Sequence, residues 1–276
     1  ELERYVGAPL FFRASSGVKL TPEGEDLRRS AGDILSAFDL FNRELRSRVG
    51  QRSSVVKISA TEGLTKHWLL PRVKQLRSLN SRLRLELTST MHQQSLATSD
   101  LDFVIRMGDP GESELIGKRV ATVAFGIFAS EEYLAAHPAP RSLAQLKDHD
   151  IIGLTEDFAG FRSERAGQMQ LATQFFAATE VRNALRILPV ASHFAAAAEG
   201  LGLAFLAVPF AQAERLVRVL PNETAFLNVW LLRRPESDLR KLTREVRRFL
   251  ESEFVKSKSW FSGNQRPAHT PTRRKP

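Results

Sequence analysis

The chain has 276 residues, 42% of them apolar and 26% charged, with no cysteine and a formal net charge of +9. That length suggests roughly two domains with room for a sizeable core. The missing cysteines exclude disulfides, thiol nucleophiles and thiolate metal sites and fit a reducing, cytoplasmic compartment, and without an apolar run of about 18 residues a membrane span has no support. The charge invites a nucleic-acid reading, yet residues 1–50 balance eight basic against eight acidic residues, while 256–276 carry six basic and no acidic ones. Two-thirds of the excess thus lies in a Pro/Ser/Thr-rich tail that reads as disordered and solvated, so overall charge argues poorly for a DNA groove. The start, "ELERYVGAPL", lacks the basic-then-apolar order of an export signal, and beginning at Glu1 it reads as a fragment of a longer protein.

In chain order, "PLFFRASSGVKLTPEG" (9–24) predicts a small hairpin followed by a helix start. A lone two-stranded hairpin is marginal in water, so it needs a neighbour. Thr21-Pro22 opens the helix: Thr caps free N–H groups and Pro suits the first helical position. Leu27, Ala31, Ile34, Phe38, Phe41 and Leu45 then recur in steps of four and three, an a/d stripe. Such a stripe either lies on its own core or pairs with a second copy; the polar stretch that follows favours dimerisation.

After Ser54 strand-like and helix-like runs alternate. "VVKISAT", "LRLELT", "LDFVIR", "TVAFGIFAS", "DIIGL", "LAFLAV" and "AFLNVWLLRR" read as strands. Helices are expected in "EGLTKHWLLPRVKQLRSLN", around 92–98, 131–136 and 142–147, and in "RILPVASHFAAAAEGLG", "PFAQAERLV" and "ESDLRKLTREVRRFLESEF". This order predicts βαβ units, a mainly parallel sheet and two α/β lobes with a ligand crevice at the strand ends. The six histidines, at 67, 92, 137, 149, 193 and 269, have no metal-ligand spacing, and neither His-Glu-x-x-His nor Gly-x-Ser-x-Gly occurs. "GLG" at 200–202 precedes a strand, the wrong order for a dinucleotide fingerprint, and reads as a helix end. Asp100 and Asp102 read as strand-edge turn residues rather than an acid–base pair. No enzyme signature is present.

Leu2-Glu3, Val6-Gly7-Ala8-Pro9-Leu10-Phe11-Phe12-Arg13 and Leu20-Thr21-Pro22-Glu23-Gly24 resemble the end of the DNA-binding domain of LysR-type transcriptional regulators. "VKISATEGLTKHWLLPRV", the "LDFVIRMGDP" strand and "EGLGLAFLAVPFAQAERLVRVLP" extend the resemblance to the effector-binding domain of that family. It implies an α/β fold: a two-lobed, type II periplasmic-binding-protein-like effector domain preceded by a partial winged helix-turn-helix and a long linker helix. On that basis 1–21 would be the winged remnant and 22–50 the dimerisation helix. Residues 55–122 with 228–255 would form lobe I, 123–227 lobe II and 256–276 the basic tail. Chain crossings between the lobes are expected near 121–124 and 224–228. Only the last turn of the recognition helix, Leu2 to Tyr5, would belong to this chain, leaving the base-reading surface upstream of Glu1.

The resemblance further implies double-stranded DNA as partner of the intact protein, a homodimer or homotetramer, RNA polymerase as a further partner, and no membrane. It implies a small-molecule effector, and no cofactor or metal is expected; the Thr61 hydroxyl beside free backbone N–H groups at a helix start would suit an anion as one option. On the wing, Arg13, Ser15, Ser16 and Lys19 are candidate phosphate contacts, which position a protein without specifying sequence; the alternative is a solvated hairpin. Between the lobes, Thr61, Ser89 and Thr90 follow strands where a hydroxyl can meet a ligand or merely cap a helix. Arg106 could grip an anion bidentately or form an interlobe ion pair. Asn183 and His193 complete the set, with packing as the alternative for His193. Rival readings are a transport solute-binding protein of the same fold and a truncated partner that dimerises without reading DNA; an enzyme on this fold is more distant.

Overall fold

The computed structural model describes residues 2–14, 17–32, 54–89, 101–108, 115–154, 170–177, 185–187 and 190–263. The chain divides into two compact units, with the boundary between Ser53 and Ser54. In the first unit, α1 (Leu2–Val6) leads into the hairpin β1 (Phe11–Ala14) and β2 (Gly17–Leu20), paired antiparallel with Phe11 opposite Leu20. The Glu3 carboxylate accepts from the N–H groups of Leu10 (2.8 Å) and Phe11 (3.2 Å), tying helix to hairpin. Helix α2 covers residues 22–32. Its cap is the one expected: the Thr21 hydroxyl accepts from Gly24 N–H (2.9 Å) and donates to the Pro9 carbonyl (2.7 Å). Gly24 is needed because a Cβ there would lie 2.2 Å from the Leu10 carbonyl oxygen. Phe11 and Phe12 are 46% and 58% exposed, while Leu10 is buried. Lys19 is exposed on β2 and Arg13 lies on β1 opposite Val18. Leu27 and Ala31 are half-buried; Ser15, Ser16, Ile34, Phe38, Phe41 and Leu45 lie outside the described residues.

The second unit is built on β3 (Val55–Ala60), helical run α3 (62–78), β4 (Arg84–Ser89), β5 (Phe103–Met107) and the long β6 (Ile116–Ala129). Next come α4 (Glu131–Ala136), β7 (Ile151–Gly153), α5 (Gln170–Ala177), β8 (Leu185–Arg186), α6 (Ser192–Ala198), β9 (Leu203–Ala207) and α7 (Val208–Ala213). β10 (Val217–Val219), β11 (Ala225–Arg233), α8 (Lys241–Lys256) and α9 (Lys258–Phe261) complete it. Among the described residues nine strands form one sheet in the order β4-β3-β5-β11-β6-β9-β7-β8, with β10 also paired to β6.

The sheet is mixed rather than mainly parallel. β3, β4 and β5 run parallel in one half and β7, β8 and β9 in the other, while β6 and β11 cross between the halves antiparallel to each other. Their register shifts between Val229 and Trp230, where Ala121 and Arg119 are the partners and Val120 is left over, a bulge at the middle of the crossing. Alternation sorts the side chains by face. Val123, Phe125, Ile127 and Ala129 join the larger core, with Phe103, Ile105, Leu203 and Phe205; Ala124, Phe128, Ala204 and Leu206 form the smaller core behind.

Three local expectations are corrected. Strand β6 starts at Ile116 rather than 122, because pairing with β11 carries its exposed first residues. Run α3 is not uniform: Thr65–Leu69 is a π turn and Leu70–Arg72 a 3-10 turn. Pro71 has no N–H to give His67 in the ordinary ladder, and Leu70 N–H instead reaches the Thr65 carbonyl. The segment from 256 onward is not tail-like at its start: Lys256 ends α8, and α9 buries Trp260 and Phe261. Phe261 stacks on Phe254 (5.6 Å) and lies beside Trp68 (6.1 Å), so apolar contact there outweighs the basic composition.

Candidate functional site

Thr61 follows β3 directly and occupies the N-cap position of α3 with extended backbone (φ −65°, ψ 153°), yet its side chain makes no cap hydrogen bond. It is 8% exposed, and its hydroxyl has no hydrogen-bond partner. A buried hydroxyl left this way is costly, and its position gives the reason to look for a partner. Thr61, Glu62 and Gly63 form one wall of a cavity of about 110 Å³. Met107 from β5 adjoins them, and the other walls are Phe125 and Leu227 from the crossing strands, Phe205 and Ala207 from β9, Phe194 from α6 and Phe210 from α7. The cavity thus lies between the two halves of the sheet, where β6 and β11 pass from one to the other.

Its walls fit closely. A Cβ on Gly63 would lie 2.8 Å from the Phe210 ring, and Phe125 and Phe205 stack with centroids 5.5 Å apart. Outside Phe210, His67 stacks on that ring (5.1 Å) and places Nε2 3.5 Å from a Glu214 carboxylate oxygen that Lys66 also meets. Burial lowers the His67 pKa, with Glu214 opposing and Lys66 reinforcing that shift. α3 and the end of α7 are thereby linked beside the cavity.

The other candidates are placed differently. Ser89, at the end of β4, is exposed and donates to the Thr65 hydroxyl (3.1 Å), bracing α3 rather than lining the cavity. Arg106 is buried but sits on the opposite face of β5 from Met107. There one terminal nitrogen donates to the Ser59 hydroxyl (3.0 Å) and the other to the carbonyl of Ile105 (3.3 Å), while Nε has no partner. No carboxylate pairs with it among the described residues, and burial pulls its pKa down to about 10, so it stays protonated at neutral pH. His193 is buried with Nε2 donating to the Ile187 carbonyl (3.0 Å), and burial lowers its pKa. It packs inside the second half while its neighbour Phe194 faces the cavity. Thr90 and Asn183 lie outside the described residues. Asp102 accepts from Lys57 N–H (3.0 Å) and pairs with Arg240, a structural role. Among the described residues no cluster of three or more potential ligands could hold a metal, and no helix is long and apolar enough to cross a membrane.

Sequence reading favoured polar residues and so missed the apolar lining by one position at two places: Met107 beside Arg106 and Phe194 beside His193. The usable signal was period-two parity in β5, where Phe103 and Ile105 share the core face with Met107.

Comparisons with known proteins agree with this architecture. Residues 50–255 match the family model described as the LysR substrate binding domain. The chain is 28% identical over 155 residues to the HTH-type transcriptional regulator CrgA of Neisseria meningitidis, which covers 56% of this chain and 52% of that protein. It is 30% identical over 154 residues to the uncharacterized HTH-type transcriptional regulator YhjC of Escherichia coli, with 56% and 52% covered. These matches thus span about half the length of the relatives. The solved structure of Neisseria meningitidis CrgA, a LysR-type transcriptional regulator, superposes with a TM-score of 0.60 at 20% identity, covering 92% of this chain and 86% of that one. The cavity at the crossing of two α/β lobes therefore belongs to a known kind of domain, and the chain is a member of the LysR substrate binding domain family.

Proposed function

We propose that this chain is the effector-sensing and dimerising part of a LysR-type transcriptional regulator. The observation that carries the reading is Thr61: a buried hydroxyl without a partner, in a cavity between two lobes joined by two crossing strands. A small molecule held there gains differently from open and closed lobe arrangements, and only such a difference lets a ligand shift one state over another. The change passes to the dimer through the a/d stripe of 22–50 and to DNA through phosphate contacts of Arg13, Ser15, Ser16 and Lys19. The cavity acts as a sensor, not a catalytic centre, and needs no cofactor or metal.

The rival solute-binding reading shares the two lobes but gives no role to the hairpin tied to α1 through Glu3 and capped onto α2 through Thr21. Fluorescence anisotropy on duplex DNA, with light scattering in parallel, tests the proposal. The expected result is a dimer with weak, salt-sensitive, sequence-independent binding whose DNA affinity or association state changes when the cavity is filled. A monomer indifferent to DNA with the cavity filled or empty overturns it.

A further inference from the structure

We infer that the occupant suited to the cavity at Thr61 is an uncharged, single-ring aromatic molecule carrying one hydrogen-bonding group, not the small organic anion that the sequence suggests. The inference rests on the interlobe effector reading and gives that site a chemical class.

Three observations point the same way. The first is size: a cavity of about 110 Å³ is of the order of the engineered apolar cavity, about 150 Å³, that takes up benzene. It is well below the roughly 300 Å³ at which drug-sized pockets begin. The second is the character of the wall. Phe125, Phe194, Phe205 and Phe210 line it, and the stacked pair Phe125 and Phe205 offers ring faces and edges to a third ring. The third is charge. Among the described residues the only ionisable side chain in the lining is the Glu62 carboxylate, which sits in the first turn of α3 and offsets the positive end of that helix.

No cation among the described residues compensates. Arg106 faces away across the sheet with Ser59, and Lys66 and His67 turn to Glu214. A carboxylate entering this space would lose its water and meet a like charge, whereas an aromatic ring loses nothing comparable. Among the described residues the one buried polar side-chain atom in the lining that lacks a partner is the Thr61 hydroxyl, on a residue more than nine-tenths buried. It can donate to a carbonyl or accept from a hydroxyl or amine, so the matching ligand carries one such group.

Titration calorimetry at neutral pH with phenol, toluene, benzoate and succinate tests this, on wild type, Thr61→Val and Thr61→Ser. Phenol should bind and be weakened about tenfold by Thr61→Val, with Thr61→Ser restoring most of the loss. Toluene should bind both wild type and Thr61→Val alike, and benzoate at least tenfold more weakly than phenol. Benzoate or succinate binding as tightly as phenol, and lost in Thr61→Val, would overturn the uncharged class while leaving an interlobe effector site intact. Phenol binding indifferent to Thr61→Val, or no binding of either neutral probe up to its solubility limit by variants with wild-type circular dichroism, overturns the inference itself. The DNA and light-scattering response described above fails or succeeds separately from these affinities.

Discussion

Two arginines, one on α3 and one on β5, are removed from water in opposite ways. Arg72 lies between α3 and α8, where Nε meets the Glu253 carboxylate (3.2 Å), the terminal nitrogens donate to the Trp68 carbonyl (2.8 Å) and the Ser257 hydroxyl (2.8 Å), and the guanidinium rests 4.8 Å over the Trp68 ring. Trp68 itself donates to Ser257 (3.1 Å) and stacks on Phe254 at 3.8 Å. Arg106, behind the sheet, has one hydroxyl and one carbonyl of its own strand, an unpartnered Nε, and no acid among the described residues. Directly opposite it in the ladder is Trp230, whose indole N–H is also buried without a partner. Burial lowers the pKa of both arginines, but only Arg72 has Glu253 opposing the shift. A satisfied network fixes one arrangement of helices; a buried charge without a counter-ion stabilises little by itself.

The largest expected effect is on the satisfied side. Glu253→Gln removes the charge that faces Arg72 and should destabilise the second unit by about 2 kcal/mol in urea unfolding. That is below the roughly 3–5 kcal/mol typical of a broken buried pair, because Arg72 keeps two neutral acceptors. A loss under about 0.5 kcal/mol would mean that the cluster acts as an exposed ion pair and that the contrast with Arg106 does not hold.

How much of this was legible in the sequence depends on the kind of contact. Thr21 was readable because a cap is local, and it appears as predicted; the close approach of Gly24 to the Leu10 carbonyl was not, because it depends on how the hairpin folds back on the helix. Thr61 was readable as the residue after a strand, although its hydroxyl proves not to cap. Arg106 shows what was not readable. A polar residue ending an apolar strand signals importance, but which face it takes follows from strand register, fixed by residues far along the chain such as Trp230. The exposed start of β6, "IGKRVA", likewise looks unlike a strand until β11 pairs with it. The aromatic lining was the least visible, because Phe125, Phe194, Phe205 and Phe210 come from four separate elements.

Histidines give a smaller effect of the same kind. His193 and His67 both have folded pKa values pushed below the ordinary 6.5 by burial, so below that pH the unfolded chain binds more protons than the folded one. Their contribution is fully present above pH 6.5 and is lost as pH falls through the folded values. His67 has Glu214 to offset its proton, whereas among the described residues His193 has the Ile187 carbonyl and no acid. Stability measured down from neutrality should therefore fall, and His193→Gln should flatten the fall more than His67→Gln. Equal flattening would assign Glu214 no electrostatic role.

The smallest change is expected where the buried charge is least supported. Arg106→Met keeps the length of the side chain, removes a cation that must be held out of water, and leaves Ser59 with a single hydroxyl to accommodate. Replacing an uncompensated buried charge by an apolar group of similar volume is often neutral or stabilising, so its unfolding free energy should lie within about 1 kcal/mol of wild type or above it, against the clear loss from Glu253→Gln. Because Arg106 lies behind the sheet from Met107, phenol affinity at Thr61 should be unchanged in the same variant. A loss as large as that of Glu253→Gln would show that Arg106 is neutralised by an acid from beyond the described residues. A loss of phenol affinity with stability intact would show instead that the two faces of β5 are coupled, and that the arginine reports on the cavity through the strand it shares with Met107.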